Sequence, residues 1–259
     1  MAKSSAKQRA DVLVVARNLA ETRARAQALI LAGKVIANDQ RVEKPGQQLP
    51  ADAQLRLKGP DHPWVSRGGL KLAHALEVTG WSMEGARVLD IGASTGGFTD
   101  VSLDQGASKV WAVDVGHGQL HWRLQNHERV TVLDKTNARF LDDRQLGLSN
   151  TSIENQRPNW LICDASFISL KTVLPAPLAC LTPDAQVITL IKPQFEVGRE
   201  ALGKGGVVRD RALHDAVCRD IGHWFTCEMG WRVTHLIESP IQGPQGNREF
   251  LLCGRCGTF

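Results

Sequence analysis

Five short apolar runs in this chain each stop at, or just before, a charged residue. They are Ala86–Ile91 with Asp90, Lys109–Val115 with Asp114, Val130–Leu133 before Asp134, Trp160–Cys163 before Asp164, and Gln186–Ile191 before Lys192. Helical or irregular segments separate the runs, which is the βαβ rhythm of an α/β, doubly wound, mostly parallel sheet. Ligands in such sheets bind outside the carboxyl ends of the strands. One strand-end charge is commonplace as a helix cap, but capping alone does not supply five. The constellation reads as the rim of an active site.

The first run feeds the turn Asp90-Ile-Gly-Ala-Ser-Thr-Gly-Gly-Phe-Thr-Asp100. A dinucleotide loop wants Gly-x-Gly-x-x-Gly, whose middle Gly lets the backbone approach a pyrophosphate. Here Ser94 holds the middle place, between Gly92 and the pair Gly96-Gly97. No Gly-Lys-Ser/Thr follows, which argues against triphosphate hydrolysis. The glycines still permit a tight turn and close ligand approach. A nucleoside cofactor without phosphates fits best, and S-adenosylmethionine is the common one. Asp114 lies 24 residues after Asp90, where a carboxylate can accept both ribose hydroxyls; the plainer reading is a cap before Gly116. Asp134, or its neighbours, would border the adenine, or else Asp134 bonds its own loop.

Methyl transfer from such a cofactor needs a nucleophile lined up opposite the sulfonium, and orientation is the protein's main contribution. A ribose 2′-hydroxyl is a poor acid, so a base or a positive field must favour its alkoxide character. A lysine serves if burial or neighbouring cations lower its pKa. Lys192 ends a strand before Pro193 and is held on rigid backbone. Asp164 ends the adjoining run, Lys71 lies in Trp64-Val-Ser-Arg-Gly-Gly-Leu-Lys, and Glu249 begins the last apolar run. Taken singly, each also fits a solvated surface charge, and Glu249 could pair with Arg248 or Arg255.

The first seventy residues have a different character. They hold 12 Lys and Arg against 6 Asp and Glu, a balance of +6, while the remainder holds 19 against 21. A basic segment on a near-neutral body suits binding to a polyanion. Arg9–Asn18 has helical apolar spacing, and Thr22 can cap a second helix over Arg23–Ala32 that Gly33 ends. Lys34-Val-Ile-Ala then alternates like a strand, Asn38-Asp39-Gln40 is a turn, and Lys58-Gly-Pro-Asp-His-Pro63 is a linker. These residues divide the chain into a small α+β domain over 1–60, a linker over 61–67 and a larger domain over 68–259.

The stretch from Ala10 to about Lys58 resembles the S4-type RNA-binding domain. The resemblance rests on Thr22-Arg23, Ala26-Gln-Ala-Leu-Ile-Leu-Ala-Gly-Lys-Val35 and Asn38, with Asp39 where the family usually has Gly. It implies binding of structured RNA through Arg23 and Arg25 on the second helix and Lys34 in the adjoining loop. From Trp64 onward the chain resembles the FtsJ-type ribose 2′-O-methyltransferases. The two parts together resemble the TlyA family of rRNA (cytidine-2′-O)-methyltransferases, historically also labelled haemolysins. The motifs are Val65-Ser-Arg-Gly-Gly-Leu-Lys71, the Asp90–Asp100 turn, Asp164-Ala-Ser-Phe-Ile-Ser169, Leu190-Ile-Lys-Pro-Gln-Phe-Glu196 and Gly203-Lys-Gly-Gly-Val-Val-Arg-Asp210. The resemblance implies a Rossmann-like fold and a catalytic tetrad of Lys71, Asp164, Lys192 and Glu249, with Lys192 as base. It implies cofactor contacts from Asp90, Gly92, Ser94, Gly96, Gly97, Asp114 and Asp134. It also implies further RNA contacts from Arg67 and from Lys204 and Arg209, whose Gly203–Asp210 loop would be a mobile clamp or a plain surface loop.

Composition bounds the alternatives. The 259 residues are 42% hydrophobic and 22% charged, ordinary globular values that argue against disorder. No run approaches the ~20 apolar residues that span a bilayer, and the N-terminus lacks the apolar core of a secretion signal. A cytoplasmic protein is expected, with ribosomal RNA or ribosomal subunits as partner, and a monomer or weak dimer. The six cysteines are scattered, with Cys253 and Cys256 as the one close pair, which suits reduced thiols and does not complete a zinc site. Two rival functions make contrary demands. A membrane-active haemolysin requires an apolar or amphipathic insertion segment, and a non-catalytic RNA-binding assembly factor predicts loss of a tetrad residue or of the glycine turn. Neither demand is met in the sequence.

Overall fold

The computed structural model describes residues 7–58, 62–148 and 156–256. The chain divides into two compact units, Met1–Pro63 and Trp64–Phe259.

The first unit runs β1 (Lys7–Arg9), α1 (Ala10–Ala16), α2 (Arg23–Leu31), β2 (Val35–Ala37), β3 (Gln40–Arg41), β4 (Gln48–Pro50) and β5 (Leu55–Leu57). Thr22 caps α2 by accepting from the Arg25 amide at 3.2 Å. Asn38 and Asp39, at φ 46° and 63°, form the two-residue turn between β2 and β3, and both positive angles match the twist a tight hairpin needs. Asp39 therefore does the turn's work without glycine. Leu13, Val14, Ala26, Ile30, Val35 and Val42 form a small core. Asp11 is fully buried beneath it and accepts from Arg9, Arg23 and Gln27. Those three hydrogen bonds, with Arg9 the strongest influence, hold its carboxyl well below the usual carboxylate range despite burial.

The second unit begins with α3 (Gly68–Thr79) and continues β6 (Arg87–Ile91), α4 (Gly97–Asp104), β7 (Lys109–Val113), α5 (Trp122–Gln125), β8 (Val130–Leu133) and β9 (Trp160–Cys163). Then come α6 (Leu170–Val173), α7 (Pro175–Ala179), β10 (Gln186–Ile191), α8 (Pro193–Glu196), α9 (Arg211–Cys227), β11 (Trp231–Glu238) and β12 (Phe250–Cys256). The sheet order is β11-β12-β10-β9-β6-β7-β8. The five central and far-edge strands are parallel, and β12 and β11 add antiparallel pairs at one side. Strands of a sheet covered on both faces read as continuous apolar runs, which is why Leu89, Ile91, Leu161, Ile162, Val187 and Ile188 are all buried. Apolar clusters on the two faces fix the sheet and so fix the strand ends.

Candidate active site

The carboxyl ends of β6, β7, β9 and β10 open on the same side, because parallel strands share a direction. Gly92 follows β6 at φ +78°, and a Cβ there would lie 3.0 Å from the backbone of Ala165. Only glycine lets this turn sit against the loop after β9. Ser94 takes the left-handed region without being glycine, at φ 49°, and its amide donates to Asp114 Oδ2 at 2.8 Å. Gly97 opens α4 against α3: a Cβ there would sit 2.3 Å from Ser66 Oγ. Asp100, in the first turn of α4, accepts from the Val65 amide at 2.8 Å and from Arg123, which seats the segment carrying Ser66 and Arg67.

The four expected catalytic side chains meet. Lys71 Nζ lies 2.6 Å from Glu249 Oε2 and 3.3 Å from Asp164 Oδ2. Lys192 Nζ lies 2.6 Å from Asp164 Oδ1 and also donates to Asp164 O at 3.1 Å and Ser166 Oγ at 2.8 Å. Glu249, Lys71, Asp164 and Lys192 thus form one linear chain in which carboxylates and lysines alternate. Lys71 is 6% exposed, Lys192 5% and Glu249 1%, so the chain is largely withdrawn from water. Burial opposes the charge of Lys71, but the carboxylates of Asp164 and Glu249 outweigh it and hold its pKa above the ordinary lysine value. The alternatives for Glu249 fall away: Arg248 reaches Glu238 instead, at 3.5 Å, and Arg255 lies over the Trp81 ring, 4.9 Å from its centroid.

Three cavities meet around this chain. One, of about 330 Å³, is lined by Ser66, Arg67, Lys71, Gly92, Ser94, Gly97, Asp164 and Lys192. A second, of about 390 Å³, is lined by Gly92, Ser94, Asp114, Val115, Asn137, Ala138, Ile168 and Val173. A third, of about 360 Å³, is bordered by Phe167, Lys192, Gln194, Phe195, Asn247 and Glu249. The first two share Gly92, Ser94, Asp164 and Ser166, so they form adjoining lobes on either side of the glycine turn. The second lobe offers apolar walls and two carboxylates, Asp114 at its far side and Asp164 where it meets the first, the chemistry that a base and a ribose require. Asp114 already accepts from the Ser94 and Gly116 amides, at 2.8 and 2.7 Å. A carboxylate offers about four acceptor sites, so it both orders the two loops and retains capacity toward the lobe. These residues fit S-adenosylmethionine.

Two expected cofactor residues lie elsewhere. Asp90 lines none of the three cavities; it is fully buried and accepts from Thr99 Oγ1 of α4 at 2.6 Å. Asp90 sits inside β6 and not beyond it, so the alternation of a strand turns its side chain to the face that α4 covers. Burial foremost, then the charges of Asp164 and Asp114, raise its pKa to about 7 against the Thr99 hydrogen bond. Asp134 accepts from the Gly118 amide at 2.8 Å and meets His117 Nδ1 at 3.0 Å. It braces the 116–118 turn, and its neighbours Thr136, Asn137 and Ala138 line the second lobe. Sequence reasoning offered these neighbours as the alternative to Asp134 itself, and it missed Ser66, which no charge or glycine signals.

The basic residues are exposed: Arg23, Arg25 and Lys34 in the first unit, Arg67, Lys204 and Arg209 in the second. Arg23 is anchored to Asp11 at 3.0 Å. The loop after Gly203 is tied down and not free. Asn247 accepts from the Val208 amide and donates to Gly206 O, and His214 Nε2 meets Val208 O at 2.9 Å.

A mostly parallel sheet with a glycine turn, a strand-end carboxylate at the cavity wall and a buried Lys–Asp–Lys–Glu chain fits a Rossmann-like methyltransferase domain. The FtsJ-like methyltransferase pattern matches residues 64–256 and the S4 domain pattern residues 8–55. A Mycobacterium tuberculosis protein named 16S/23S rRNA (cytidine-2′-O)-methyltransferase TlyA is 43% identical over 96% of this chain and 90% of its own. Hemolysin A of Brachyspira hyodysenteriae is 36% identical over 94% of this chain and 98% of its own. A solved structure of a candidate hemolysin from Streptococcus thermophilus superposes with a TM-score of 0.72 and 42% identity, over 96% of this chain and 88% of that one. The chain belongs to the FtsJ-like methyltransferases that carry an S4 domain, the TlyA family, and its methyl donor is S-adenosylmethionine.

Proposed function

We propose that this protein methylates the ribose 2′-hydroxyl of cytidine in ribosomal RNA, with ribosomal subunits as its partners in the cytoplasm. The observation that carries the reading is the buried chain Glu249–Lys71–Asp164–Lys192 beside the two cofactor lobes. S-adenosylmethionine supplies an electrophilic methyl group on a sulfonium. Lys192 Nζ, as the neutral amine, would accept the 2′-hydroxyl proton while the methyl group passes from sulfur to that oxygen. Asp164 holds Lys192, and Lys71, itself held by Glu249, places positive charge beside the forming alkoxide. Gly92, Ser94, Gly96, Gly97 and Asp114 form the cofactor cradle. Arg23, Arg25 and Lys34 of residues 1–60 anchor the RNA through its phosphates, with Arg67, Lys204 and Arg209 contributing from residues 61–259. The haemolysin names among the relatives do not favour a membrane role here. No described helix is long and apolar enough to cross a membrane. Mapping 2′-O-methyl groups on rRNA from cells with and without the gene tests the proposal. Expected is the loss of one or more methylated cytidines, restored by the wild-type gene and not by Lys192→Ala; an unchanged map would refute it.

A further inference from the structure

A general base must do more than be present. A neutral lysine amine keeps two N–H groups and one lone pair, and the lone pair must face the hydroxyl whose proton it takes. Rotation about the last side-chain bond sweeps that direction through a full circle. Asp164 supplies one short contact, its carboxylate at 2.6 Å, while its carbonyl at 3.1 Å is the longest and weakest contact of Lys192, so a second close acceptor is needed to fix the direction. The remaining contact of Lys192 is Ser166 Oγ, at 2.8 Å. We propose that Ser166 is the positioning residue of Lys192: its hydroxyl and Asp164 each engage one N–H, which leaves the lone pair aimed at the ribose 2′-hydroxyl. The inference deepens the proposed function and rests on Lys192 acting as the base.

Three features show that Ser166 is placed for this. It lines all three cavities around the tetrad, so its hydroxyl stands where cofactor and substrate meet. Its backbone is clamped from both sides. Ala165 is pressed against Gly92, where a Cβ would approach to 3.0 Å. Beyond it, Glu196 accepts from Ser169 Oγ at 2.6 Å and from the Leu170 amide at 2.9 Å, which pins the loop to the helix that follows Lys192. Between the clamps, Phe167 stands at φ 65°, a conformation that bulky residues rarely adopt and that persists only where the surroundings over-determine it. The loop is bent, at a local cost, so that residue 166 turns toward Lys192. Ser166 Oγ has no other hydrogen-bond partner among the described residues, so the hydroxyl is not serving as a turn cap.

The test compares Ser166→Ala, Ser166→Thr and Lys192→Ala in the full-length protein, with rRNA substrate and S-adenosylmethionine. Ser166→Ala is expected to cut turnover about 3- to 10-fold, the range for a lost hydrogen bond between neutral groups. The KM for RNA and the calorimetric Kd for S-adenosylmethionine should stay within about twofold, because neither measures the direction of the lone pair. Ser166→Thr keeps the hydroxyl and should restore most of the turnover. Near-normal turnover in Ser166→Ala, or a Thr variant as slow as the Ala variant, would overturn the proposal. So would a loss that appears in cofactor affinity instead of turnover, which would make Ser166 a wall of the cofactor lobe only. Lys192→Ala separates the two readings. If it stays active, the base assignment fails and this proposal with it; if it is inactive while Ser166→Ala is not, only the role of Ser166 fails.

Discussion

Asp90 offers a direct check on how the glycine turn is held. Its side chain is fully buried, with Thr99 donating to Oδ2 and no partner for Oδ1 among the described residues. Its pKa rises from an ordinary 3.8 to about 7 in the folded chain. A carboxyl raised on folding contributes stability that is fully present below its unfolded pKa and is lost as pH climbs through its folded one. The window therefore runs from about pH 4 to pH 7. At 1.36 kcal/mol per pKa unit, the shift corresponds to a ceiling of about 4 kcal/mol between the two ends. Asp90→Asn keeps the shape and an acceptor for Thr99 but cannot ionise. Urea unfolding of both proteins at pH 5 and pH 8 isolates this residue, since every other titrating group is common to the pair. The wild type is expected to lose ground to the variant by a few kcal/mol between the two pH values, and S-adenosylmethionine affinity is expected to persist in the variant. Parallel pH profiles would refute the burial argument, and loss of cofactor binding would place Asp90 back at the ligand.

The other predictions concern binding, stability and chemistry. Asp114→Ala should weaken S-adenosylmethionine binding by about 1.5–3 kcal/mol by calorimetry, the range for hydrogen bonds to a charged acceptor; unchanged affinity would remove Asp114 from the pocket. Replacing Arg25 and Lys34 together by Ala should lower RNA affinity and flatten its dependence on log salt by roughly 1.4 to 1.8, measured by filter binding across a salt series. Lys192→Ala should leave cofactor affinity near wild type and slow turnover ~10²–10⁴-fold. Lys192→Arg should not rescue it, since a guanidinium stays protonated, and an active Arg variant would make residue 192 a fixed charge and not a base. Because the pKa of Lys71 is raised on folding, the stability from its ion pairs should be present below about pH 10.5 and fade at higher pH, a loss that Lys71→Met should not show in alkaline melts.

The parallel strands were legible because each is a continuous apolar, β-branched run, and the structure places all five within two residues of the expected limits. The antiparallel pair was not. Trp231–Glu238 lies at the sheet's edge with Trp231 buried and the rest half-buried or exposed, and its mixed sequence carries no signal that it returns beside Phe250–Cys256. The tetrad shows the same limit in sharper form. Lys71 and Glu249 are 178 residues apart, and no local period links a residue in the first turn of α3 to one just before the last strand. Only the family resemblance paired them, and only the coordinates give the contact. Asp90 misled for a simple reason. It falls one residue short of the strand's end, and at a period of two, one residue decides which face a side chain meets.

The buried tetrad is a poor way to hold a fold together. Bringing two ammonium groups and two carboxylates out of water costs several kcal/mol for each ion before their attraction offsets it, and apolar residues of similar volume often do as well or better. The domain does not lack apolar packing, with one cluster on each face of the sheet already fixing the strands. The placement is also uneconomical in sequence, drawing one residue each from α3, the end of β9, the end of β10 and the start of β12. What the arrangement does provide is alternation. Each lysine sits against a carboxylate, and Asp164 touches both, so a proton taken up by neutral Lys192 is met by a carboxylate already in contact with it. A hydroxyl brought to that position meets an acceptor held on rigid strand ends and a second cation, Lys71, fixed by its own partner. That combination lowers the cost of forming an alkoxide in a dry cleft, which accounts for ion pairs that stability alone does not require.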